Sequence, residues 1–269
     1  MKDKDQNLPE RGVPIRSLSR GIAVLQAINR QGSLSMMEIS RLSGLPYPTA
    51  YRLVQTLVYE GLVECEPSRR HYRPTGMVQT LAHGFQGDSR LVQASRPHIV
   101  ELTRRVNWPI TLSTHVGYSM VIRDSTHSIS ALTFNEYHPG FATPMLESAS
   151  GLAYLSAVPD DERVSLMDGM KQIPNKRWAY VIDLIENGGL LEEIQQRRIA
   201  ARGFNQFTRN PGKTSSMATV VMDGDRPAGT ISLAFFSSAM KMQDAMAAFA
   251  DLLLATAQTI REDLSQIPR

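Results

Sequence analysis

Cysteine occurs once in 269 residues, at position 65, so the chain can form no internal disulfide and no cysteine-held metal cluster. Long apolar runs are missing too, and none approaches the ~20 residues needed to cross a bilayer. The opening segment, MKDKDQNLPERGVPI, carries both signs of charge and lacks the apolar core of a signal peptide. Residues 1–15 therefore read as a disordered leader, and the protein as cytoplasmic, with no membrane among its partners. Signatures of catalysis are equally absent: there is no G-x-S-x-G elbow, no H-E-x-x-H, no P-loop and no G-x-G-x-x-G. The six histidines (71, 83, 98, 115, 127 and 138) are dispersed. His115 and His127 could meet across adjacent strands, but no third metal ligand can be named for them. No catalytic residue, metal or cofactor is expected, and the chain does not read as an enzyme.

What is present is a globular composition, 42% apolar and 20% charged, on a chain long enough for two modest cores. The net charge of +3 is unevenly spread: residues 1–75 carry +4, residues 76–106 carry +2 and residues 107–269 carry −3. A basic first quarter on a mildly acidic remainder suits a polyanion partner for the first part and a different task for the rest.

In SLSRGIAVLQAINR, residues 17–30, Leu18, Ile22, Leu25 and Ile28 fall on one helical face. Ser35-Met-Met-Glu38 has the form of a capping box and opens a short helix expected to bury Ile39 and Leu42. Ser43-Gly44-Leu45-Pro46 breaks that helix. A third follows, with Ala50, Leu53, Val54, Leu57 and Val58 at core spacing, and it ends at Gly61. Residues 62–65 and 71–73 read as strands around Glu66-Pro67-Ser68-Arg69-Arg70. Three helices and a basic hairpin make a winged helix-turn-helix over residues 16–75. Residues 76–106 read as a helical linker, with Met77, Val78, Leu81 and Phe85 inward in its first part, and Leu91, Ile99, Leu102 and Val106 in its second.

From Trp108, expected at the domain junction, the apolar period changes to two: 110–116 and 120–123 read as a hairpin and 129–134 as a third strand. Ser148-Ala149-Ser150-Gly151 opens a helix through Ala157, and helices near 160–170 and 188–202 follow. Residues 217–222 and 230–236 form a second hairpin around Asp223-Gly224-Asp225-Arg226-Pro227. A last helix carries Met242, Met246, Phe249, Leu253, Ile260 and Leu264 on one face. Residues 107–269 thus read as one α+β domain with an antiparallel sheet.

The outward side of the third helix presents Thr49, Tyr51, Arg52 and Gln55, residue types that reach phosphates and base edges from a recognition helix. Arg69, Arg70 and His71 tip the wing, and Arg16 and Arg20 flank the first helix. With Ser35, these are the expected contacts to double-stranded DNA. The plainer possibility for each is a solvated face over a small core.

The runs RSLSRGIAVLQAI and LSMMEISRLSGLPYPTAYRLVQTLVYEGLVECEPSRRHYRPT resemble the N-terminal domain of the IclR family of bacterial regulators. WPITLSTHVGYSMVIRDSTH, ESASGLAYLSAV and VVMDGDRPAGTISL continue the resemblance in family order, nearest to the activators of phenylpropionate and other aromatic-acid catabolism. The resemblance implies a GAF-like effector-binding domain whose pocket opens between the sheet and the helix near Ser150. It implies a dimer or dimer of dimers on a palindromic operator, a small organic acid as effector, and RNA polymerase as a partner if the protein activates. Ser148, Ala149 and Ser150 offer free N–H groups to a carboxylate, and Arg123 offers a cation. Ser216 and Ser232 fall where relatives line the pocket, and Phe134 and Met145 join the expected site. Ala234 stands where some relatives carry a second serine, which points to a larger, more apolar ligand than a small keto acid. Each has a bland reading: Ser148 as a helix cap, Arg123 as a surface partner of Asp124 or Glu136, and Met145 and Phe134 as core. A rival assignment for the whole chain is a small-molecule sensor or enzyme whose helical head binds protein.

Overall fold

The computed structural model describes residues 15–81, 89–132, 137–203 and 213–268. The chain divides into two units, residues 1–86 and 87–269.

The first unit contains α1 (Arg16–Gln31), α2 (Met36–Ser43), α3 (Tyr47–Tyr59), the antiparallel pair β1 (Val63–Cys65) and β2 (Tyr72–Pro74), and α4 (Met77–Thr80). Its core joins Val24 and Ile28 of α1, Met36 and Ile39 of α2, and Ala50, Val54 and Leu57 of α3, closed by Val63 and Tyr72. The expected capping box is formed: Ser35 N donates to Glu38 Oε2 at 2.9 Å and Glu38 N donates to Ser35 Oγ at 3.4 Å. The wing is tied back to the α1–α2 loop, because Leu34 and Tyr72 exchange backbone hydrogen bonds of 3.0 and 2.7 Å.

Several apolar residues expected inside this unit lie outside it. Leu18 and Ile22 are 61% and 48% exposed. The inner stripe of α1 is instead Val24, Ala27 and Ile28. Those three follow the same i, i+3, i+4 spacing, so periodicity alone does not choose between two overlapping stripes. Leu42, Met77 and Leu81 are also exposed, and Met36 takes the core position beside Ile39. Phe85 lies outside the described residues.

The second unit is built on a six-stranded sheet of order β5-β4-β3-β8-β7-β6, antiparallel at every pairing. Its strands are β3 (Ile110–Val116), β4 (Ser119–Ser125), β5 (Ala142–Pro144), β6 (Ala200–Arg202), β7 (Thr214–Asp223) and β8 (Arg226–Phe236). Helices α5 (Ser89–Val106) and α10 (Met242–Gln266) pack on one face around Ile99, Leu102, Ile110, Leu112, Ile231, Leu233, Leu253 and Ile260. Residues 89–106, read from sequence as part of a connecting segment, thus lend their apolar side to this core. Arg90 fastens the two helices, its Nη2 donating to the Leu264 and Ile267 carbonyls at the end of α10 at 3.1 and 2.8 Å. A cation there satisfies carbonyls that the helix itself leaves orphaned.

The opposite face carries α6 (Ala149–Ala157), with α7 (Asp160–Lys171), α8 (Lys176–Glu186) and α9 (Leu190–Arg197) around it. A 3₁₀ turn at Met145–Glu147 leads into α6, and the Ser148 side chain accepts from Gly151 N at 3.0 Å. Only glycine fits at position 151, where a Cβ would overlap the Met145 carbonyl. This is the mixed α+β, antiparallel architecture expected.

Several details differ from the sequence reading, among them helix α8, in a stretch where that reading assigns no element. Residues 129–132 are not a strand, and the rest of that segment lies outside the described residues. The strand beyond β4 is β5, three residues long. The helix expected through residue 202 ends at Arg197, because Arg198 turns left-handed (φ 58°) and residues 200–202 join the sheet. Trp108 is buried in this unit's own core, edge-on to Phe235 and Phe236.

Candidate DNA-reading face and effector site

Pro48 sits in the first turn of α3, where its missing N–H costs nothing. Ala50, Val54 and Leu57 bind the helix to its core, which turns Tyr51, Arg52 and Gln55 to solvent and leaves Thr49 half-buried. Tyr47, which sequence reasoning passed over, lies one turn before Tyr51 and stacks on it, ring centroids 6.4 Å apart and planes 11° from parallel. The i, i+4 spacing of two aromatics was the available signal.

In the wing, Glu66 N donates to the His71 carbonyl at 2.7 Å and Arg70 takes a left-handed backbone (φ 51°), which throws Arg69 and Arg70 onto the exposed tip. His71 is half-buried with Nδ1 3.5 Å from Ser33 Oγ. Arg73 is neutralised by Glu64 at 2.6 Å and Glu66 at 4.0 Å. By contrast Arg16, Arg20, Arg52, Arg69 and Arg70 are exposed, and none of them forms an ion pair among the described residues. Ser35 is differently employed: its hydroxyl and backbone N–H both engage Glu38, holding that carboxyl below its ordinary range. It serves the helix start first.

In the second unit, side chains alternate across the sheet, and Ala200 and Ala218 pack in the cluster around α6. Arg202 and Ser216, each two residues along, therefore share that face, and they are register partners. Ser216 also pairs with Ala234, while Ser232 lies between Ala218 and Thr111 in the next row. Ser232 and Thr111 share a hydrogen bond of 2.6 Å between their hydroxyls. The start of α6 reaches this corner, because Arg202 Nη2 donates to the Leu146 carbonyl at 3.3 Å. Ser148, Ala149, Ser150, Ser216 and Ser232 are thus gathered on one side of the sheet. Ser148 is also the helix cap, and Met145 is fully buried in the core below. Phe134 lies outside the described residues.

Arg123 is not brought to this corner. It is the extra residue where the β3–β4 register shifts, and its Nε donates to Thr114 Oγ1 at 2.7 Å. Thr114 shares with Leu91 of α5 the space above Gly229, on the other face of the sheet. The bulge, invisible in the alternation of 110–123, re-aims the side chain. Among the described residues, the cation that the structure brings to this corner is Arg202.

Arg202 is half-buried. Burial pulls its guanidinium below the ordinary range, opposed by the nearby Glu147 carboxylate. Glu147 is itself buried and accepts from Trp178 Nε1 at 2.7 Å and Asn175 Nδ2 at 3.4 Å. Tyr137 is buried beside Thr214, two residues from Ser216 on β7. Burial raises its phenol's pKa, with the Thr214 hydroxyl acting in the opposite sense. His127 stacks on the Tyr137 ring at 4.9 Å, and burial, aided by His138, lowers its pKa to about 4. His115 stacks instead on Tyr154 of α6, so the two histidines do not meet as metal ligands, and no metal-binding group occurs among the described residues. No helix is long and apolar enough to cross a membrane among the described residues.

Comparison with known proteins fits both units. The family model for the IclR helix-turn-helix domain matches residues 17–67, and that for the bacterial transcriptional regulator IclR C-terminal matches residues 86–262. The HTH-type transcriptional regulator TsaQ1/TsaQ2 of Comamonas testosteroni is 28% identical over 69% of this chain and 67% of its own length. Matches to two further curated regulators span 62% and 61% of their lengths. Among solved structures, the Thermotoga maritima IclR superposes with a TM-score of 0.64 at 18% identity, covering 94% of this chain and all of that one. An IclR homologue from Microbacterium hydrocarbonoxydans, complexed with 4-hydroxybenzoate, gives 0.64 at 20% identity, covering 92% and 98%. The chain belongs to the IclR family of bacterial transcriptional regulators, DNA-binding proteins and not enzymes.

Proposed function

We propose that the first unit binds a palindromic operator through α3 and the wing, under control of an organic acid held by the second. The observation that carries the first half is the set of unpaired cations. Arg52 on α3, Arg69 and Arg70 on the wing, and Arg16 and Arg20 on α1 stay solvated, although acidic neighbours on the same hairpin neutralise Arg73. Cations without partners attract phosphate and release its counterions. Arg52 and Gln55, exposed one turn into α3, are placed for base edges, with Thr49 and the Tyr47–Tyr51 stack beside them. His71 flanks the wing tip, and Ser35 acts through the α2 start.

A palindrome requires two heads. The exposed pair Leu18 and Ile22, one turn apart on α1, supports assembly with a second copy as a dimer, or as a dimer of dimers. For the second unit, the start of α6, the hydroxyls of Ser216 and Ser232 and the apolar Ala234 favour an aromatic or other organic carboxylate, with the 4-hydroxybenzoate of the Microbacterium homologue as precedent. RNA polymerase is a further partner if binding activates transcription.

Selection of the full-length protein against a random duplex pool should enrich a two-fold symmetric sequence. Enrichment of no sequence would refute operator recognition. A thermal-shift screen of aromatic and keto acids should find a stabiliser, since a ligand at 100 times its dissociation constant adds about 2.7 kcal/mol.

A further inference from the structure

We infer that Arg202 is the side chain that takes the effector's carboxylate, and that it sets the preference for an acid over its neutral analogue. The inference rests on the effector reading above and deepens it. Arg202 sits on the short edge strand β6, on the α6 face, directly opposite Ser216. Its guanidinium carries five N–H donors, of which the described contacts use one, in a 3.3 Å bond to the Leu146 carbonyl. Its Nε is buried and has no hydrogen-bond partner. Among the described residues it forms no ion pair, although Glu147 lies near enough to act on its charge. On the same face Thr230, wholly buried, also has a hydroxyl without a partner.

A desolvated arginine is normally paired, because burying a charge without a partner is costly. A half-buried arginine whose buried Nε has no partner, and which has donors to spare, is prepared for an anion that arrives later. The planar fork suits a carboxylate, which accepts two parallel hydrogen bonds from it. Ser216 stands across the strand pair to accept or donate at the same group. Tyr137, stacked on His127, is buried beside Thr214, two residues from Ser216 along β7. The ligand class that fits is a monocarboxylate on a flat apolar body.

Titration calorimetry on the full-length protein tests this with 4-hydroxybenzoate, its neutral analogue 4-hydroxybenzamide, benzoate, 3-phenylpropanoate and pyruvate as probes. The wild type should bind at least one acid and prefer the benzoate to the benzamide. Arg202→Gln should lose about 30-fold or more in acid affinity while leaving the amide unchanged, as expected when one partner of a desolvated charge pair is removed. Arg123→Ala should behave as wild type. If Arg202→Gln fails to fold, Arg202→Lys decides. A point charge lacking the fork should weaken the acid by roughly 10-fold and spare the amide. Acid affinity retained in either folded variant overturns the role of Arg202 and leaves the effector reading standing. A wild type that binds none of the four acids overturns that reading, and the inference with it.

Discussion

The two units differ in where they leave a cation without an ion pair. In the first, Arg73 alone among the described residues is tied into an ion pair, and the arginines of α1, α3 and the wing tip face water without one. In the second, Arg90, Arg96, Arg163, Lys171 and Arg197 are paired with carboxylates. Cations left there without an ion pair among the described residues, such as Arg104, Arg105, Arg198, Arg226 and Arg261, are exposed. Among the described residues Arg202 forms no ion pair either, yet it is half-buried. Exposed charges left unpaired cost little and are drawn to a polyanion. A desolvated charge left unpaired is costly, and it points to one small partner. The difference teaches where each unit expects its ligand: outside for the head, inside for the second unit.

Substitutions can break that contrast. The largest effect should come from Gly151→Val, which drives a side chain into the Met145 carbonyl and should destabilise the second unit by ~3 kcal/mol or more. Two denaturation transitions, with only that of the second unit displaced, would mark the units as independent; displacement of both would couple them. Next is acid. His127 is held neutral, with a pKa near 4 against 6.5 when unfolded, so between those values the unfolded chain binds more protons. Its contribution is complete above about pH 6.5 and is lost as pH falls toward 4, by up to about 3 kcal/mol. Urea melts at pH 7 and 4.5 should show this loss in the second unit, and His127→Gln should flatten it.

On the head, Arg52→Ala should cost ~1–3 kcal/mol on the selected operator and little on random duplex if Arg52 reads a base. Equal losses on both duplexes would make it a phosphate contact. Smallest is Ser35→Ala, which removes the capping box and should lower stability by ~1 kcal/mol while leaving the ratio of specific to non-specific affinity unchanged. A changed ratio would mean that Ser35 touches DNA directly.

Much of the head was legible because its signals are local. A capping box, a proline in a first turn and a glycine at a helix end each involve neighbours in sequence, and all three are found where the pattern places them. What periodicity left open on α1 was which of two apolar stripes meets the core, since an apolar stripe looks alike whether it faces its own core or another molecule. In the second unit the long hairpin at 223–227 and the start of α6 were readable for the same local reasons. The strands β5 and β6 were not: three residues cannot display an alternation, and Ala-Ala-Arg following α9 is a good helical sequence. The exchange of Arg123 for Arg202 has the same origin. One depends on a bulge and the other on a pairing of distant segments, and neither is a property of nearby residues.

The central claim is that the unpaired arginines of the head are its hold on DNA. The most direct test is the affinity of the full-length protein for duplex DNA, measured by fluorescence anisotropy from 50 to 300 mM KCl on a log–log scale. Affinity should fall steeply, with a slope of roughly 0.9 per phosphate neutralised, and the Arg69→Ala, Arg70→Ala double variant should reduce that slope by roughly 2 for each engaged head. A flat line for the wild type, or an unaltered slope for the variant, would contradict it.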